Sequence, residues 1–337
     1  AVLLASCGAA PAAPAAPAAL KVGVLIDSGT ENDKSFNEYT LKGAREAAAA
    51  AGLGFAYFGP QSASDYERTL ESLITTEQPN LVITVGFRMG DATAKAARRH
   101  LDIKFAIMDN AYAPGAGCPD TVKDCYTAEG GLANVTSLMF AEDQVGYLAG
   151  VLAGCMSKTG TVATVAGVEI PPVVRFVKGF QAGARSVNPN VKALNQYIPD
   201  FNDPPTGKVV AQGFIHEGAD VIFGVGGNTG NGGLLAAKEA GQMAIGVDVD
   251  QYFTYPEVRS ALISSASKNV DVAAAAAVKD FAAGRLDAGV RTANIANGGV
   301  GLAPYHDWDE KIPQACKDKV KAAEATIKDD PAATGAK

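Results

Sequence analysis

The sequence lacks a basic surface of the kind that binds nucleic acids. Lys and Arg number 29 against 36 Asp and Glu, which gives a net charge of −7 at pH 7. No cluster of Lys or Arg interrupts this acidic balance. Because nucleic-acid affinity depends largely on basic side chains that contact phosphates, the composition argues against a nucleic-acid partner.

Motifs of common hydrolases and nucleotide-binding enzymes are also missing. The chain contains no G-x-S-x-G, H-E-x-x-H or Walker sequence. Its histidines, His100, His216 and His306, have no ligand-like spacing, and no C-x-x-C pair is present. We therefore expect neither a metal ion nor a cofactor.

Two stretches keep an enzyme open as an alternative. The glycine-rich run Gly224–Gly233 partly matches a dinucleotide-binding fingerprint, but Thr229 stands where the third glycine is required. The pair Asp248 and Asp250 suggests a metal-dependent nucleoside hydrolase, but the chain offers no clear second acidic pair beside it. Binding without chemistry fits these features better, so we predict that the protein is not an enzyme.

No apolar run is long enough to cross a membrane, and the one before Cys7 is far too short. The residues LASCG around Cys7 are typical of the end of a bacterial lipoprotein signal, which is cleaved before a cysteine that then carries lipid. An Ala/Pro-rich tether follows. We expect residues 1–19 to comprise a signal remnant, the lipidated Cys7 and this tether, and the protein to be anchored on the extracytoplasmic face of the cell membrane.

The other cysteines are few, and an exported protein can pair them as disulfides. Cys118 and Cys125 bracket a short loop that they would staple. Cys155 and Cys316 are the remaining pair, but sequence alone does not say that they meet.

At 337 residues the chain is long enough for two domains of ordinary size. From Leu20 onward, apolar runs alternate with helical segments, and after a helix at Val145–Met156 the alternation begins again. The predicted strands are 22–26, 54–58, 81–85, 104–108 and 134–140, then 161–166, 193–198, 221–225, 244–247 and 259–264. This order predicts an α/β fold of two similar lobes, each a parallel sheet flanked by helices.

Chain crossings near Ser137, Ser267 and Gly298 would give the lobes three shared hinge strands. We predict lobe 1 at residues 20–137 plus 268–297, and lobe 2 at residues 138–267 plus 298–330. Such an arrangement permits closure about a central cleft.

Acidic residues follow several predicted strands at the point where each strand ends. Asp27, Asp109 and Asp248 are the clearest examples, and a glycine loop at Gly226 follows another strand. In parallel sheets, ligands bind beyond the carboxyl ends of the strands, and one carboxylate can accept hydrogen bonds from a pair of sugar hydroxyls. Since a single strand-end Asp is often a helix cap, the argument rests on the three together.

Aromatic residues make up only 7% of the chain, so their positions carry information. Phe36 lies at the start of a predicted helix beside a polar loop, and Phe176 has the corresponding place in the second lobe. Phe201 lies in another strand-end loop. Rings from opposite lobes would sandwich a flat ligand base, although packing in the core is an alternative for each ring. Lys268, at a predicted hinge, would reach the ligand or Asp248, or would be exposed.

These features resemble the basic membrane protein family, the PnrA-like and Med-like lipoproteins that serve as substrate-binding components of ABC transporters. The similarity runs from about Lys21 to Tyr305. The matching segments are Asp27–Asn37, Met108–Asp109, Glu129–Gly150, Val168–Phe180, Phe201–Lys208, Gly226–Gly232, Gly246–Gln251 and Ser267–Val270. The resemblance implies a two-lobed type I periplasmic-binding-protein fold and a purine nucleoside ligand such as adenosine, guanosine or inosine.

The resemblance also implies roles for individual residues. Phe36 would stack on the purine, with Asp27, Asn32 and Asp33 near the edge of the base. The ribose hydroxyls would be held by Asp109, Asp248 and Lys268, helped by the backbone around Gly226. For the second face of the base, Phe176 is preferred to Phe201. The loop at 110–125, with its possible disulfide, departs from the family pattern and leaves contacts just after Asp109 in doubt.

The sequence therefore predicts a lipid-anchored, monomeric receptor that closes on a purine nucleoside and delivers it to a membrane permease. A receptor for a sugar or another small molecule that feeds a signalling partner is one alternative. An enzyme that cleaves the glycosidic bond of a nucleoside is the other.

Overall fold

A computed structural model describes residues 20–59 and 62–336, and these residues form two lobes. The predicted anchor at Cys7 lies outside the described residues. Each lobe contains a six-stranded sheet with helices packed on both faces. The predicted α/β fold of two lobes with parallel sheets is thus confirmed.

The strands alternate with helices along most of the chain. The strands are β1 (Lys21–Ile26), β2 (Gly54–Phe58), β3 (Leu81–Val85), β4 (Lys104–Met108), β5 (Ala113–Pro114), β6 (Gly117–Cys118), β7 (Val135–Phe140), β8 (Thr161–Ala166), β9 (Lys192–Tyr197), β10 (Val221–Val225), β11 (Met243–Asp248), β12 (Leu262–Lys268), β13 (Gly289–Ala293) and β14 (Val300–Leu302). The helices are α1 (Phe36–Ala50), α2 (Tyr66–Glu77), α3 (Gly90–Arg99), α4 (Glu142–Met156), α5 (Pro171–Val187), α6 (Pro204–His216), α7 (Gly227–Glu239), α8 (Gln251–Thr254), α9 (Val270–Ala282) and α10 (Gln314–Asp329). Within the described part of the chain, none of these helices combines the length and apolar character that a membrane span needs.

The two sheets repeat one strand order. Lobe 1, defined by the sheet that contains β1, has the order β2-β1-β3-β4-β7-β13, and all neighbouring strands are parallel. Lobe 2, defined by the sheet that contains β8, has the order β9-β8-β10-β11-β12-β14, and only its edge strand β14 is antiparallel. Strands β1, β3 and β4 therefore correspond to β8, β10 and β11, and their carboxyl ends form equivalent edges.

Burial on both faces explains why the central strands are nearly continuous apolar runs. On β1, Val22 and Val24 pack into the cluster that includes α1, whereas Leu25 points to the opposite face and packs against α2 and α3. All three side chains are fully buried. A rigid sheet results, and it fixes the direction in which the loop after β1 leaves the core.

Three details of the sequence prediction were wrong. The strand predicted at 259–264 runs instead from Leu262 to Lys268, because small polar residues such as Ser265 are buried there between β11 and β14. Strand β13 was missed, since it is an edge strand with alternating exposure. Helix α7, for which the sequence predicts a start at Gly233, begins at Gly227 despite its glycines. At Gly232 a glycine is needed because a Cβ atom would lie 2.1 Å from the Pro204 carbonyl oxygen of α6.

The chain passes between the lobes after β7, after β12 and between β13 and β14. Backbone hydrogen bonds join these crossings: the Ala141 N–H donates to the Ala293 oxygen at 2.9 Å, and the Asn269 N–H donates to the Gly299 oxygen at 3.1 Å. We propose that the lobes divide at these crossings. The division predicted from sequence differs at the first crossing, where residue 137 lies inside β7, and by one residue at the second, where Lys268 ends β12 of lobe 2.

Two disulfides are present in the described residues. Cys118–Cys125 closes the short loop that follows β6, and Cys155–Cys316 joins α4 to α10. The second bridge spans 161 residues of sequence and the first spans 7. In the chain-entropy model, a bridge stabilises the fold mainly by restricting the unfolded chain, and the effect grows with the loop that it closes.

Removal of the long-range bridge should therefore destabilise the protein more than removal of the short one. The expected losses are about 5 kcal/mol for C155S/C316S and about 2 kcal/mol for C118S/C125S. Chemical unfolding of both double variants, each measured beside the oxidised wild type, tests the difference. Equal losses for the two variants would show that loop length does not set the contribution of these bridges.

Candidate functional site

A cavity lies between the lobes at the carboxyl ends of the central strands. Both lobes contribute polar and aromatic side chains to its wall. The predicted residues that line it are Asp27, Asp33, Phe36 and Asp109 from lobe 1, and Phe176, Phe201, Gly226, Asp248 and Lys268 from lobe 2. Asn32 differs from the others, because it is exposed and does not line the cavity.

Lys268, the last residue of β12, is the buried cation of the site, with only 2% of its surface exposed. Its Nζ donates to Asp109 Oδ2 of lobe 1 at 2.6 Å and lies 2.9 Å from Glu142 Oε1. Glu142, the first residue of α4, also accepts a hydrogen bond at 2.7 Å from Arg175 Nε of α5. The result is a chain of alternating charges that runs from lobe 1 into lobe 2.

Aromatic rings surround the same ammonium group. Lys268 Nζ lies 4.8 Å from the centroid of Phe140, 5.0 Å from that of Phe36 and 5.9 Å from that of Phe176. Ring faces attract a cation, and the attraction is stronger where water is excluded. The rings and the carboxylates therefore stabilise the charge together.

The titration of this group follows from burial and charge. Burial opposes a positive charge on Lys268, but the carboxylates of Asp109, Glu142 and Asp248 prevail and raise its pKa above the ordinary value. For Asp109, burial raises the pKa against the lowering effect of Lys268. The ammonium group of Lys268 thus stays protonated at physiological pH.

The two strand-end acids Asp109 and Asp248 occupy equivalent positions in the lobes. Asp109 follows β4 and Asp248 ends β11, and both have left-handed backbones, with φ of 67° and 66°. A left-handed conformation is uncommon for residues other than glycine, although Asp is among those that adopt it more often. Both side chains are buried, and both line the cavity.

Asp248 also takes part in contacts that join the lobes across the cleft. The Ser35 hydroxyl of lobe 1 donates to Asp248 Oδ2 at 2.5 Å. Asn231 Nδ2 donates to the Asp33 carbonyl oxygen at 2.9 Å, and Thr254 Oγ1 donates to the Lys34 carbonyl oxygen at 2.8 Å. Lobe 2 therefore holds the segment 33–35 of lobe 1 in a closed arrangement.

Asp33 has a structural task at the start of α1. Its carboxylate accepts hydrogen bonds from the backbone N–H groups of Ser35, Asn37 and Glu38, at 3.0 to 3.1 Å. These donors would otherwise lack partners at a helix start. Burial raises the pKa of Asp33 to about 7, against the lowering effect of these hydrogen bonds. Asp33 thus fixes the first turn of α1, which carries Phe36.

Asp27 lies in the loop after β1. It is at the end of the cavity opposite to Asp109 and Glu142, the two carboxylate partners of Lys268. Its Oδ1 accepts a hydrogen bond from the Ser28 hydroxyl at 3.0 Å, and its Oδ2 lies 3.6 Å from Arg88 Nε. Burial raises the pKa of Asp27 to about 6, although Arg88 lowers it. A buried carboxylate with one weak ionic partner is available to a polar ligand.

The aromatic residues differ in their surroundings. Phe176 is 3% exposed and packs edge-on against Phe223, with ring centroids 6.0 Å apart. Phe201 is half-buried, and its ring lies beside Gly226. Gly226 has a φ of 110°, and a Cβ atom there would lie 2.8 Å from the Gly167 backbone nitrogen and 3.2 Å from the Phe201 ring, so the position requires a glycine. The Arg88 guanidinium lies 5.8 Å from the Phe201 ring. Phe201 is thus at the Asp27 end of the cavity, and Phe176 is near Lys268.

Sequence reasoning missed several residues of this region, which are Ser35, Asn37, Arg88, Glu142, Arg175 and Asn231. Glu142 follows a strand at two residues' distance, so the rule that selected Asp27 and Asp109 could have found it. Asn37 lies directly beside Phe36 and lines the cavity. For Arg175 and Asn231, no signal in the sequence indicates a place beside the cleft.

A family model described as "ABC transporter substrate-binding protein PnrA-like" matches residues 20–329 of the chain. Among relatives, the "ABC transporter nucleoside-binding protein BmpA" of Lactococcus lactis subsp. cremoris is 32% identical, and the match covers 92% of this chain and 87% of that protein. "Basic membrane protein D" of Borreliella burgdorferi is 31% identical over 75% of this chain and 69% of its own length.

Solved structures agree with the described fold. The crystal structure of an ABC transporter solute-binding protein from Aeropyrum pernix K1 superimposes with a TM-score of 0.81 and 27% identity, covering 92% of this chain and 91% of that one. A 5-methylthioribose transporter solute-binding protein from Thermotoga lettingae is similar in fold, with a TM-score of 0.62 and 13% identity over 90% of this chain and 92% of its own.

The buried Asp27 carboxyl predicts a pH-dependent effect on stability. Its folded pKa of about 6 exceeds the ordinary value of 3.8, so its contribution to stability is full below pH 4 and is lost as the pH rises through 6. Asp27→Asn should therefore stabilise the ligand-free protein at pH 8, by up to about 3 kcal/mol, and change little at pH 4.

Urea unfolding at both pH values measures this difference. Asp102→Asn, which changes an exposed acid of lobe 1, is the matched control and should leave stability unchanged at both. A variant Asp27→Asn that is less stable than the wild type at pH 8 would show that the ionised carboxylate is stabilised in the fold rather than penalised.

Proposed function

The chain belongs to the PnrA-like family of ABC transporter substrate-binding proteins, and we propose that it captures a purine nucleoside between its lobes for uptake through a membrane permease. The observation that carries this proposal is a cleft in which a buried carboxylate and ammonium pair lies beside aromatic rings from both lobes. A nucleoside combines a polyol with a flat base, and such a cleft complements both parts.

The polar end of the cavity suits ribose hydroxyls. Asp109 Oδ1 is buried and has no hydrogen-bond partner among the described residues, while its Oδ2 is held by Lys268. A hydroxyl that donates to Asp109 Oδ1 would satisfy this acceptor. Lys268 carries three N–H donors, and its two carboxylate partners leave one for a hydroxyl oxygen. Asp248 adds a second carboxylate from the other lobe.

The aromatic residues suit the base. In our proposal Phe36 stacks on one face, and the half-buried ring of Phe201 covers the other at the Asp27 end of the cavity. The family resemblance favours Phe176 for that second face, but Phe176 is almost fully buried against Phe223, whereas Phe201 is half-buried and lies beside the Arg88 guanidinium. Asp27 lies where it would meet the edge of the base.

The relatives support the same ligand class and location. The Lactococcus relative is named a nucleoside-binding protein, and an archaeal relative from Pyrococcus horikoshii, 30% identical over 86% of this chain, is named a lipoprotein. We propose that the protein functions on the extracytoplasmic side, held by lipid on Cys7. The two disulfides are consistent with that oxidising location. A monomeric state and the absence of enzymatic activity remain predictions.

A thermal-shift panel tests the ligand class, since a ligand that binds only the folded protein raises the melting temperature. Adenosine, guanosine and inosine should raise it, whereas free adenine and free ribose should do so weakly. Ribose that acts as strongly as a nucleoside would favour the sugar receptor. Release of hypoxanthine from inosine during incubation would instead identify a nucleoside-cleaving enzyme.

Loss of the Phe36 ring should weaken nucleoside binding without unfolding the protein. Stacking contributes about 1–3 kcal/mol per base, so Phe36→Ala should raise the Kd about 10- to 100-fold. Calorimetric titration measures the change, and Phe253→Ala, which removes an exposed ring of lobe 2, is the control. An unchanged Kd would remove Phe36 from the site.

The same titration decides between the two rings of lobe 2. Phe201→Ala should raise the Kd with little loss of stability, whereas Phe176→Ala should mainly destabilise the fold by emptying space beside Phe223. The reverse outcome would assign the second face of the base to Phe176.

A further inference from the structure

Asn37, the second residue of α1, has an amide orientation that its surroundings fix. The side chain is 4% exposed and lines the cavity next to Phe36. Its Nδ2 donates to the carbonyl oxygens of Ser28, at 2.8 Å, and Thr30, at 3.3 Å. Because a carbonyl oxygen accepts but never donates, the nitrogen must point to this loop and the oxygen away from it.

The amide oxygen is left without a partner. Asn37 Oδ1 is buried, and no donor among the described residues reaches it. A buried acceptor without a hydrogen bond is costly, so such a group calls for an explanation. Asn134 has the same combination of engaged nitrogen and unpartnered oxygen, but it does not line the cavity, so no ligand can meet it there. For Asn37 the cavity offers the explanation.

The wall around Asn37 accepts hydrogen bonds and has few donors to offer. The backbone N–H groups at the start of α1, including that of Asn37, are bonded to the Asp33 carboxylate. Asp27 is a further acceptor in the same wall. A ligand edge that faces Asn37 must therefore present a hydrogen-bond donor.

We propose that Asn37 Oδ1 accepts a hydrogen bond from an N–H of the base and thereby selects among purine nucleosides. This inference rests on the proposed nucleoside function. Inosine and guanosine carry an N–H at ring position 1, and adenosine carries an amino group at position 6. Purine riboside has the same ring and sugar but neither donor, so the site rejects it.

Competition titrations with inosine, adenosine and purine riboside test the selection. A hydrogen bond to an otherwise unsatisfied buried group discriminates about 10- to 100-fold, so the wild type should bind purine riboside that much more weakly than inosine. In Asn37→Ala this ratio should fall to about 1.

Asn32→Ala is the matched control, because it alters an exposed asparagine in the loop before α1 that does not line the cavity, and it should leave the ratio unchanged. Equal binding of inosine and purine riboside by the wild type would overturn the inference. So would an Asn37→Ala variant that weakens all nucleosides equally, since Asn37 would then only position the loop. In both cases nucleoside binding itself would stand. Failure of every nucleoside to bind the wild type would instead refute the proposed function, and the inference with it.

Discussion

The buried ammonium group of Lys268 is the constraint on which the arrangement of the cleft depends. Removing a charge from water costs several kcal/mol unless partners replace the solvent, so Lys268 requires the carboxylates of Asp109 and Glu142. Asp109 directly follows β4 of lobe 1, and Glu142 is the first residue of α4 in lobe 2. The requirement thus fixes where the two lobes meet, next to the crossings at which the chain passes between them. Glu142 extends the effect to Arg175 and hence to the second turn of α5, which carries Phe176.

The repeated sheet order explains how one site receives matching groups from both lobes. Asp109 and Asp248 follow corresponding strands, both have left-handed backbones, and both point into the cavity. Phe36 and Phe176 likewise lie near the starts of α1 and α5, in the first turn of α1 and the second turn of α5. The correspondence is not complete, since Asp27 after β1 corresponds to Gly167 after β8. The repeat thus yields two similar walls, and the departures from it make the two ends of the cavity chemically different.

Local patterns in the sequence predicted most of the strands, because buried parallel strands are apolar runs that stop at polar loops. The same pattern located Asp27, Asp109 and Asp248. It failed at β12, where Ser265 and Ser267 look like a loop although Ser267 pairs with Asp248 on one side and Gly301 on the other, and at β13, an exposed edge strand. Arg175 and Asn231 depend on contacts between segments far apart in the chain, and one sequence holds no record of those contacts. The exposure of Asn32 beside the buried Asp33 depends on a single turn of the loop, which periodicity does not resolve.

The contacts that join the lobes across the cleft act on the same segment that leads into Phe36, the ring that we propose stacks on the base. The side chain of Asp33 caps α1. Across the cleft, the carbonyl oxygens of Asp33 and Lys34 accept hydrogen bonds from the side chains of Asn231 and Thr254, and the Ser35 hydroxyl donates to Asp248. Burial of Asp27 and Asp33 raises their pKa values, so the charged forms of both acids are penalised in this arrangement. The closed arrangement without ligand is therefore a balance of opposed contributions. In our proposal, a ligand bonded both to Asp109 of lobe 1 and to Lys268 or Asp248 of lobe 2 makes its full set of contacts only when the lobes are closed, and its differential affinity for that state shifts the balance. The opening and closing of the lobes is thereby tied to the identity of what lies between them.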